Sequence, residues 1–393
     1  MTSIIVAGAI ANKCHNGGAT WTRLSWVLGL KQLGFDVYFL EQIRREDCLD
    51  DGGAPATFED CKNLAYFRQV TDRYGLAGAA ALIYDGGAQI HGASWSELVD
   101  VAAAAEMLVN ISGHLTLDPL MQLPRRKAFI DLDPGVTQYW HAAGNAASHL
   151  QGHDLYFTIG ENIGTPRCSI PTGGIDWRPI RQPSILDLWP DSPGEHLDAS
   201  ACAHHFTTIA SWRGPYGPVE FDGRSFGLKV HEFRKFIDLP NRSDQSFEIA
   251  LDIHPADAKD LQFLRDRGWH VIDPVEVASD PDAFQSYVQT SGAEFSAAQG
   301  IYVETEGGWF SDRTVRYLTS GKPALVQDTG FGDRYPTGEG LLTFRTLDEA
   351  VAGVEQIVGD YDRHCARARA IAEEYFDSNT VLGELVDTVD ITP

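Results

Sequence analysis

His15, His114, Asp131 and Asp133 each lie shortly after a run of apolar residues. Short apolar runs bounded by turn residues read as buried strands, so these four side chains fall at or just beyond strand ends. Transfer of a group to a hydroxyl needs a base that takes the hydroxyl proton. All four residues are candidates for that base, with Asp133 and His114 jointly first.

A second constellation suits an anion. Residues 304–332 read ETEGGWFSDRTVRYLTSGKPALVQDTGFG. Ser311 or Asp312 can cap a helix that Gly321-Lys322-Pro323 ends, and a strand follows from Ala324. Free N–H groups at such a helix start attract phosphate, and Arg313 can pair with one. Gln327, Asp328 and Thr329 end the strand, and Gly330-Phe331-Gly332 allows close backbone approach. Asn16-Gly17-Gly18 offers the same approach before another helix. It is neither a G-x-G-x-x-G fingerprint nor a Walker A loop, which counts against a dehydrogenase or an NTPase.

The elements that must position these groups alternate. A strand is expected over 4–10, a helix over 20–33 with Gly34 as its stop, and a strand over 37–40 ending at Glu41. That unit implies a parallel sheet. Further strands are expected over 81–84, 107–111, 127–132 and 155–159, with helices over 57–74 and 94–105. Pro166, Pro171, Pro179, Pro183, Pro190 and Pro193 then mark a crossing segment. A second alternation follows, with strands over 206–211, 247–253, 269–272 and 300–303. Its helices are expected over 229–237, 256–267, 280–290 and 347–360, and 361–386 reads as helical. Two doubly wound α/β halves predict a cleft beyond their C-terminal strand ends.

The chain has 393 residues, which favours two domains. A net charge of −24 disfavours duplex nucleic acid, whose binding rests on neutralised phosphates. The six cysteines, Cys14, Cys48, Cys61, Cys168, Cys202 and Cys365, form no C-x-x-C pair. A disulfide framework or structural zinc site is therefore not expected, and a cytoplasmic location is. The apolar N-terminal run lacks a basic region before it and reads as a strand rather than a signal peptide. No run is long enough to span a membrane.

The stretch GWFSDRTVRYLTSGKPALVQDTGF, with GEGLLTFRTLDEAVAGVEQI after it, resembles the donor-binding half of GT-B fold glycosyltransferases, most closely the bacterial family-1-type and spore-maturation-type enzymes. The resemblance covers the C-terminal half well and the N-terminal half through its first strand, loop and helix. It implies two Rossmann-like domains facing across a cleft: 1–180 for the acceptor, 181–375 for the nucleotide sugar, and a 376–393 helix that crosses back. It implies that Arg213, in the loop Ser211-Trp212-Arg213-Gly214-Pro215-Tyr216-Gly217, meets the leaving diphosphate. His254 and Asp273 would lie near the nucleotide base, and Glu304 or Glu306 would hold a sugar hydroxyl. The family's E-x7-E glutamates are absent, with Gly308 and Arg316 in their places, so a retaining outcome does not carry over.

The expected activity is metal-independent sugar transfer from a nucleotide-diphosphate donor, guessed to be a UDP-sugar, with no cofactor required. The donor would be held by Gly17, Gly18, Ser211, Arg213, His254, Asp273, Glu304, Ser311, Asp312, Arg313, Asp328 and Thr329. Asp131-Leu132-Asp133 lies in the wrong half for a donor-bound metal by family analogy. The acceptor could be a small molecule, a glycan or a modified nucleobase. Two rival readings fit the same residues: a nucleotide-sugar epimerase on the same scaffold, and a non-catalytic nucleotide- or sugar-binding protein.

Overall fold

The computed structural model describes residues 2–191, 205–214 and 217–393. Pro193, Cys202, Pro215 and Tyr216 lie outside these ranges. The first half is an eight-stranded sheet built from β1 (Ser3–Ala7), β2 (Asp36–Ile43), β3 (Ala80–Tyr84), β4 (Gln89–His91), β5 (Ala105–Ile111), β6 (Lys127–Asp131), β7 (Leu155–Thr158) and β8 (Trp177–Pro179). Its order is β4-β3-β2-β1-β5-β6-β7-β8, parallel except for the β3–β4 pair. The central strands are apolar on both faces because helices cover both. Ile4, Ile5 and Val6 of β1 are all fully buried.

The second half is a six-stranded parallel sheet of β9 (His205–Ser211), β12 (Ser246–Asp252), β13 (Trp269–Ile272), β14 (Ala293–Ser296), β15 (Ala324–Gln327) and β16 (Leu341–Phe344). Its order is β13-β12-β9-β14-β15-β16. A separate antiparallel hairpin, β10 (Val219–Phe221) with β11 (Arg224–Phe226), reaches the first half. There the Tyr139 ring meets Phe221 and Phe226 at 4.7 and 5.1 Å. In each sheet the order reverses beside the first strand of that half, between β1 and β5 and between β9 and β14. Such a switch point leaves a crevice at the strand C-termini.

The halves are tied by more than the crossing segment. Trp21 Nε1 donates to Pro281 O at 2.8 Å. Val381, Leu382 and Leu385 of the Ser378–Thr388 helix join the core of the first half. The end of the chain is two helices rather than one, Tyr361–Tyr375 and Ser378–Thr388. Asp377 breaks the run by accepting from Asn379 N at 3.0 Å and bridging Ser184.

The strand expected over 300–303 is a helix, Gly300–Thr305. Ile301, Tyr302 and Thr305 are β-branched or aromatic and mimic a strand in sequence, but they bury one helical face. The strand is β14, seven residues earlier. Glu294 interrupts its apolar pattern, because that carboxylate pairs with Arg313 inside the fold. Short β4, β8 and β16 also escape a pattern search.

Candidate active site

A cleft of about 800 Å³ opens between the two halves. Residues after β1, β6, β9, β12 and β13 line it, so the strand C-termini of both sheets face the same space. Among the sequence candidates, His15, Gly18, Asp133, Ser211, Asp273, Ser311, Asp312 and Arg313 line the cleft, whereas His114, Asp131, Gly17, Arg213, His254, Glu304, Asp328 and Thr329 do not.

The Asp312–Thr319 helix starts on the cleft wall, with Ser311 at its N-cap. Ser311 makes no side-chain cap bond, and Asp312 at the first helical position instead accepts from Thr22 Oγ1 at 2.7 Å. Arg313 lies beneath. Its guanidinium donates to Glu294 Oε1 at 2.7 Å, to Ser296 Oγ at 2.6 Å and to Ile209 O at 2.5 Å. It therefore brings positive charge to the cleft from a fixed, largely internal position. One turn later Arg316 is only 1% exposed. It donates to Pro183 O at 3.1 Å and lies over the Trp189 ring. Burial pushes its pKa down to about 10. The position that the resemblance associates with a ribose-holding glutamate thus faces the interior, and Asp312 is the acid of this helix at the cleft.

Lys229, unremarked in the sequence, also lines the cleft. It is half-buried at the start of the Lys229–Phe233 helix, and its ammonium donates to Ala297 O at 3.0 Å. Burial pushes its pKa down to about 7; the Arg313 guanidinium adds to this, while Glu294 and Asp312 oppose it. A GLK tripeptide before an amphipathic run carries no motif, so only its place beside Arg313 exposes the role. Trp309 and Tyr302, stacked at 4.3 Å, also line the cleft.

Arg213 points elsewhere. It is exposed and makes a two-pronged pair with the largely covered Asp257, at 2.7 and 2.5 Å. His254 accepts from Ala256 N as a helix cap. Glu304 pairs with Arg224 at 3.7 Å. Asp328 accepts from Gly330 N and Arg345, and Thr329 donates to Trp309 O. The 328–332 loop serves contact between the halves, because Asn162 Nδ2 donates to Glu306 O and Gly330 O at 3.0 and 2.8 Å. Gly17 has the same duty. A Cβ there would stand 2.0 Å from Asp280 O, so its missing side chain admits the other half.

Of the four base candidates, Asp133 and His15 reach the cleft. Asp131 is fully buried and accepts from Thr137 Oγ1, Gln138 Nε2 and Thr158 Oγ1, each at 2.7 Å, and from Asp133 N at 3.0 Å. Burial raises its pKa, and the hydrogen bonds from Gln138, Thr137 and Thr158 oppose the rise. With its oxygens so engaged, it shapes the loop that presents Asp133. Glu41 does the same for the loop after β1, accepting from the N–H groups of Ile10, Ala11 and Asn12 at 2.8 Å. His114 Nε2 stands behind that loop, 3.2 Å from Asn12 Nδ2. Burial pushes its pKa down to about 4, helped by Arg23 and Lys13.

Among the described residues, no cluster of His, Cys, Asp and Glu could hold a metal ion, and no helix is long and apolar enough to cross a membrane.

No protein-family model and no curated protein sequence matches the chain. Solved structures do. An α-glucosyltransferase in complex with UDP and a 13-mer DNA containing an HMU base is similar at TM-score 0.61, with 10% identity over 100% of both chains. HepE of Anabaena, in complex with UDP-glucose, is similar at 0.60, with 11% identity over 99% of this chain and 100% of that one. A UDP-N-acetylglucosamine 2-epimerase assignment from Listeria monocytogenes is similar at 0.52, with 10% identity over 100% of this chain and 97% of that one. At such identities the likeness defines the fold: two Rossmann-like sheets facing across a cleft, the GT-B architecture of glycosyltransferases.

Proposed function

We propose that the chain is a glycosyltransferase, moving a sugar from a nucleoside-diphosphate donor to an acceptor hydroxyl in the cleft. The observation that carries this reading is Lys229 beside Arg313, next to the start of the Asp312–Thr319 helix, at the switch point of the second sheet. Two cations and a helix start are suited to the charge that develops on a departing diphosphate. A UDP-sugar is the donor we favour, in keeping with the UDP and UDP-glucose held by two structural neighbours.

On the opposite wall Asp133 takes the acceptor proton. The acceptor oxygen then bonds to the anomeric carbon, and the carbon–oxygen bond to the diphosphate breaks with its electron pair going to phosphate oxygen. We assign the acceptor to 1–180, the donor to 181–375, and to 376–393 the role of a strap back onto the first half. Asp273 and Val275, which also line the cleft, suit the nucleotide base.

A thermal-shift panel of nucleotide sugars tests donor binding, because a ligand held only by the folded state raises its melting temperature. Mass spectrometry of acceptor mixtures with the best donor then tests transfer. Conversion of the nucleotide sugar alone, with no acceptor product, would favour an epimerase instead.

A further inference from the structure

Trp309 belongs to the second half in sequence but reaches the first. Its indole packs against the core that holds Trp21 and Ile130, and it lines the cleft, half-buried. Gly307 and Gly308 make that reach possible. A Cβ on Gly308, whose φ is +75°, would stand 3.0 Å from Asn162 Cγ, and one on Gly307 would stand 2.9 Å from Ile170 Cδ1. The backbone is clamped on both sides. Gly307 O accepts from Asn162 N at 3.0 Å, Gly308 N donates to Thr329 O at 3.0 Å, and Trp309 O accepts from Thr329 Oγ1 at 2.5 Å. Tyr302, 4% exposed, stacks on the indole at 4.3 Å with 12° between the planes. The aromatic ring is thus held in a fixed plane at the cleft, as a binding surface requires.

The loop that carries Asp133 meets the same elements. A Cβ on Gly135 would stand 3.1 Å from Ile301 Cδ1, next to Tyr302 in its helix. A Cβ on Gly160 would stand 2.6 Å from Pro134 Cβ and 3.3 Å from Gly307 O. Asp133 and Trp309 are therefore anchored on one seam between the halves, and both line the cleft. A rigid ring surface on the seam that carries the base is suited to hold the acceptor.

The rest of the lining narrows the class of acceptor. Asp133, Asp312, Asn16 and Gln299 share the cleft with the indole. Carboxylate and amide oxygens accept from hydroxyls, and the carboxylates repel an anionic ring. A pyranose meets both demands. Its C–H groups form an apolar face that lies on an aromatic ring, and its hydroxyls project from the edge.

We infer that the acceptor is a neutral pyranose sugar whose apolar face lies on Trp309 while one hydroxyl meets Asp133. Trp309 then determines acceptor specificity. The inference deepens the glycosyltransferase reading above and rests on it.

The experiment is calorimetric titration of methyl α-D-glucopyranoside, methyl α-D-galactopyranoside and methyl α-D-mannopyranoside into protein saturated with UDP-2-deoxy-2-fluoroglucose. The fluorine slows departure of the diphosphate, and the filled donor site leaves only the acceptor side to the pyranoside. Saturable binding of at least one pyranoside is expected, and none of sorbitol, which has the hydroxyls without the ring. Trp309→Leu keeps an apolar side chain without an aromatic face and should bind the pyranoside about tenfold more weakly, whereas Trp309→Phe should stay within about threefold. Donor affinity should change less than about threefold in both variants. Failure of all three pyranosides to bind the donor-loaded protein overturns the inference alone, as does binding of 5-hydroxymethyluracil in their place. Equal pyranoside affinity in Trp309→Leu overturns it too, because the indole would then only pack the halves together. A loss of donor affinity as large as the loss of pyranoside affinity does the same, because Trp309 would then belong to the donor. If the unmutated protein binds no donor, the glycosyltransferase reading falls and the inference falls with it.

Discussion

Thr22 Oγ1 donates to Asp312 Oδ2 at 2.7 Å, joining the first helix of one half to the Asp312–Thr319 helix of the other. Thr22 is 3% exposed, so water does not compete freely for the bond. The contact fixes Asp312 at the mouth of its helix and closes one flank of the cleft. Replacing Thr22 with the similarly shaped valine removes the donor and keeps most of the volume. The expected loss of stability is about 1.5–3 kcal/mol, the range for a hydrogen bond to a charged group. Chemical denaturation reads it, and an unchanged midpoint would show that the contact is idle.

Lys229 makes donor binding depend on pH. Its pKa in the empty cleft is about 7, and a bound diphosphate favours the ammonium form and raises that value. Affinity is therefore full below pH 7 and falls as pH rises from 7 toward the pKa of the complex, about tenfold per unit. Lys229→Arg keeps its charge throughout and should flatten the profile. The check is UDP-glucose titration between pH 6 and 9, and an equal slope in both proteins would remove Lys229 from the site.

The two arginines singled out by sequence part company. Arg313 neutralises the fully buried Glu294, so Arg313→Ala strands a carboxylate in the interior. That should cost about 3–5 kcal/mol, together with donor affinity. Arg213 is exposed and pairs with the largely covered Asp257 outside the cleft lining. Arg213→Ala should leave UDP affinity near the original value. Donor affinity lost in Arg213→Ala and kept in Arg313→Gln would reverse the assignment.

The helix start on the cleft was legible because Ser311, Asp312 and Arg313 sit in a local pattern of cap, helix and glycine stop. That Ser211, Asp273 and Asp133 reach one cleft followed from the alternation of strands and helices, which puts strand C-termini along a common crevice. What stayed hidden depends on partners distant in sequence. Gly17 looks like a ligand-approach glycine, yet it makes room for Asp280. Asp131 looks like a base, yet four donors from three elements consume it. Lys229 has no motif and gains its character only from burial beside Arg313.

Asp133 and His114, equal in the sequence, separate in the fold. Asp133→Asn should lower kcat by about 10²–10⁴-fold with donor affinity retained, the usual worth of a positioned base. His114→Gln should keep kcat within a few-fold, because His114 stands behind the cleft wall. Steady-state kinetics with the acceptor found by mass spectrometry separates the two, and the opposite ranking would move the base to His114.

The central claim is that this cleft holds the diphosphate of a sugar donor. Calorimetric titration of UDP into the unmutated protein and Lys229→Ala tests it most directly. The expected result is a single saturable site, weakened about tenfold or more by the substitution. Absence of binding, or equal affinity in the two proteins, would contradict it.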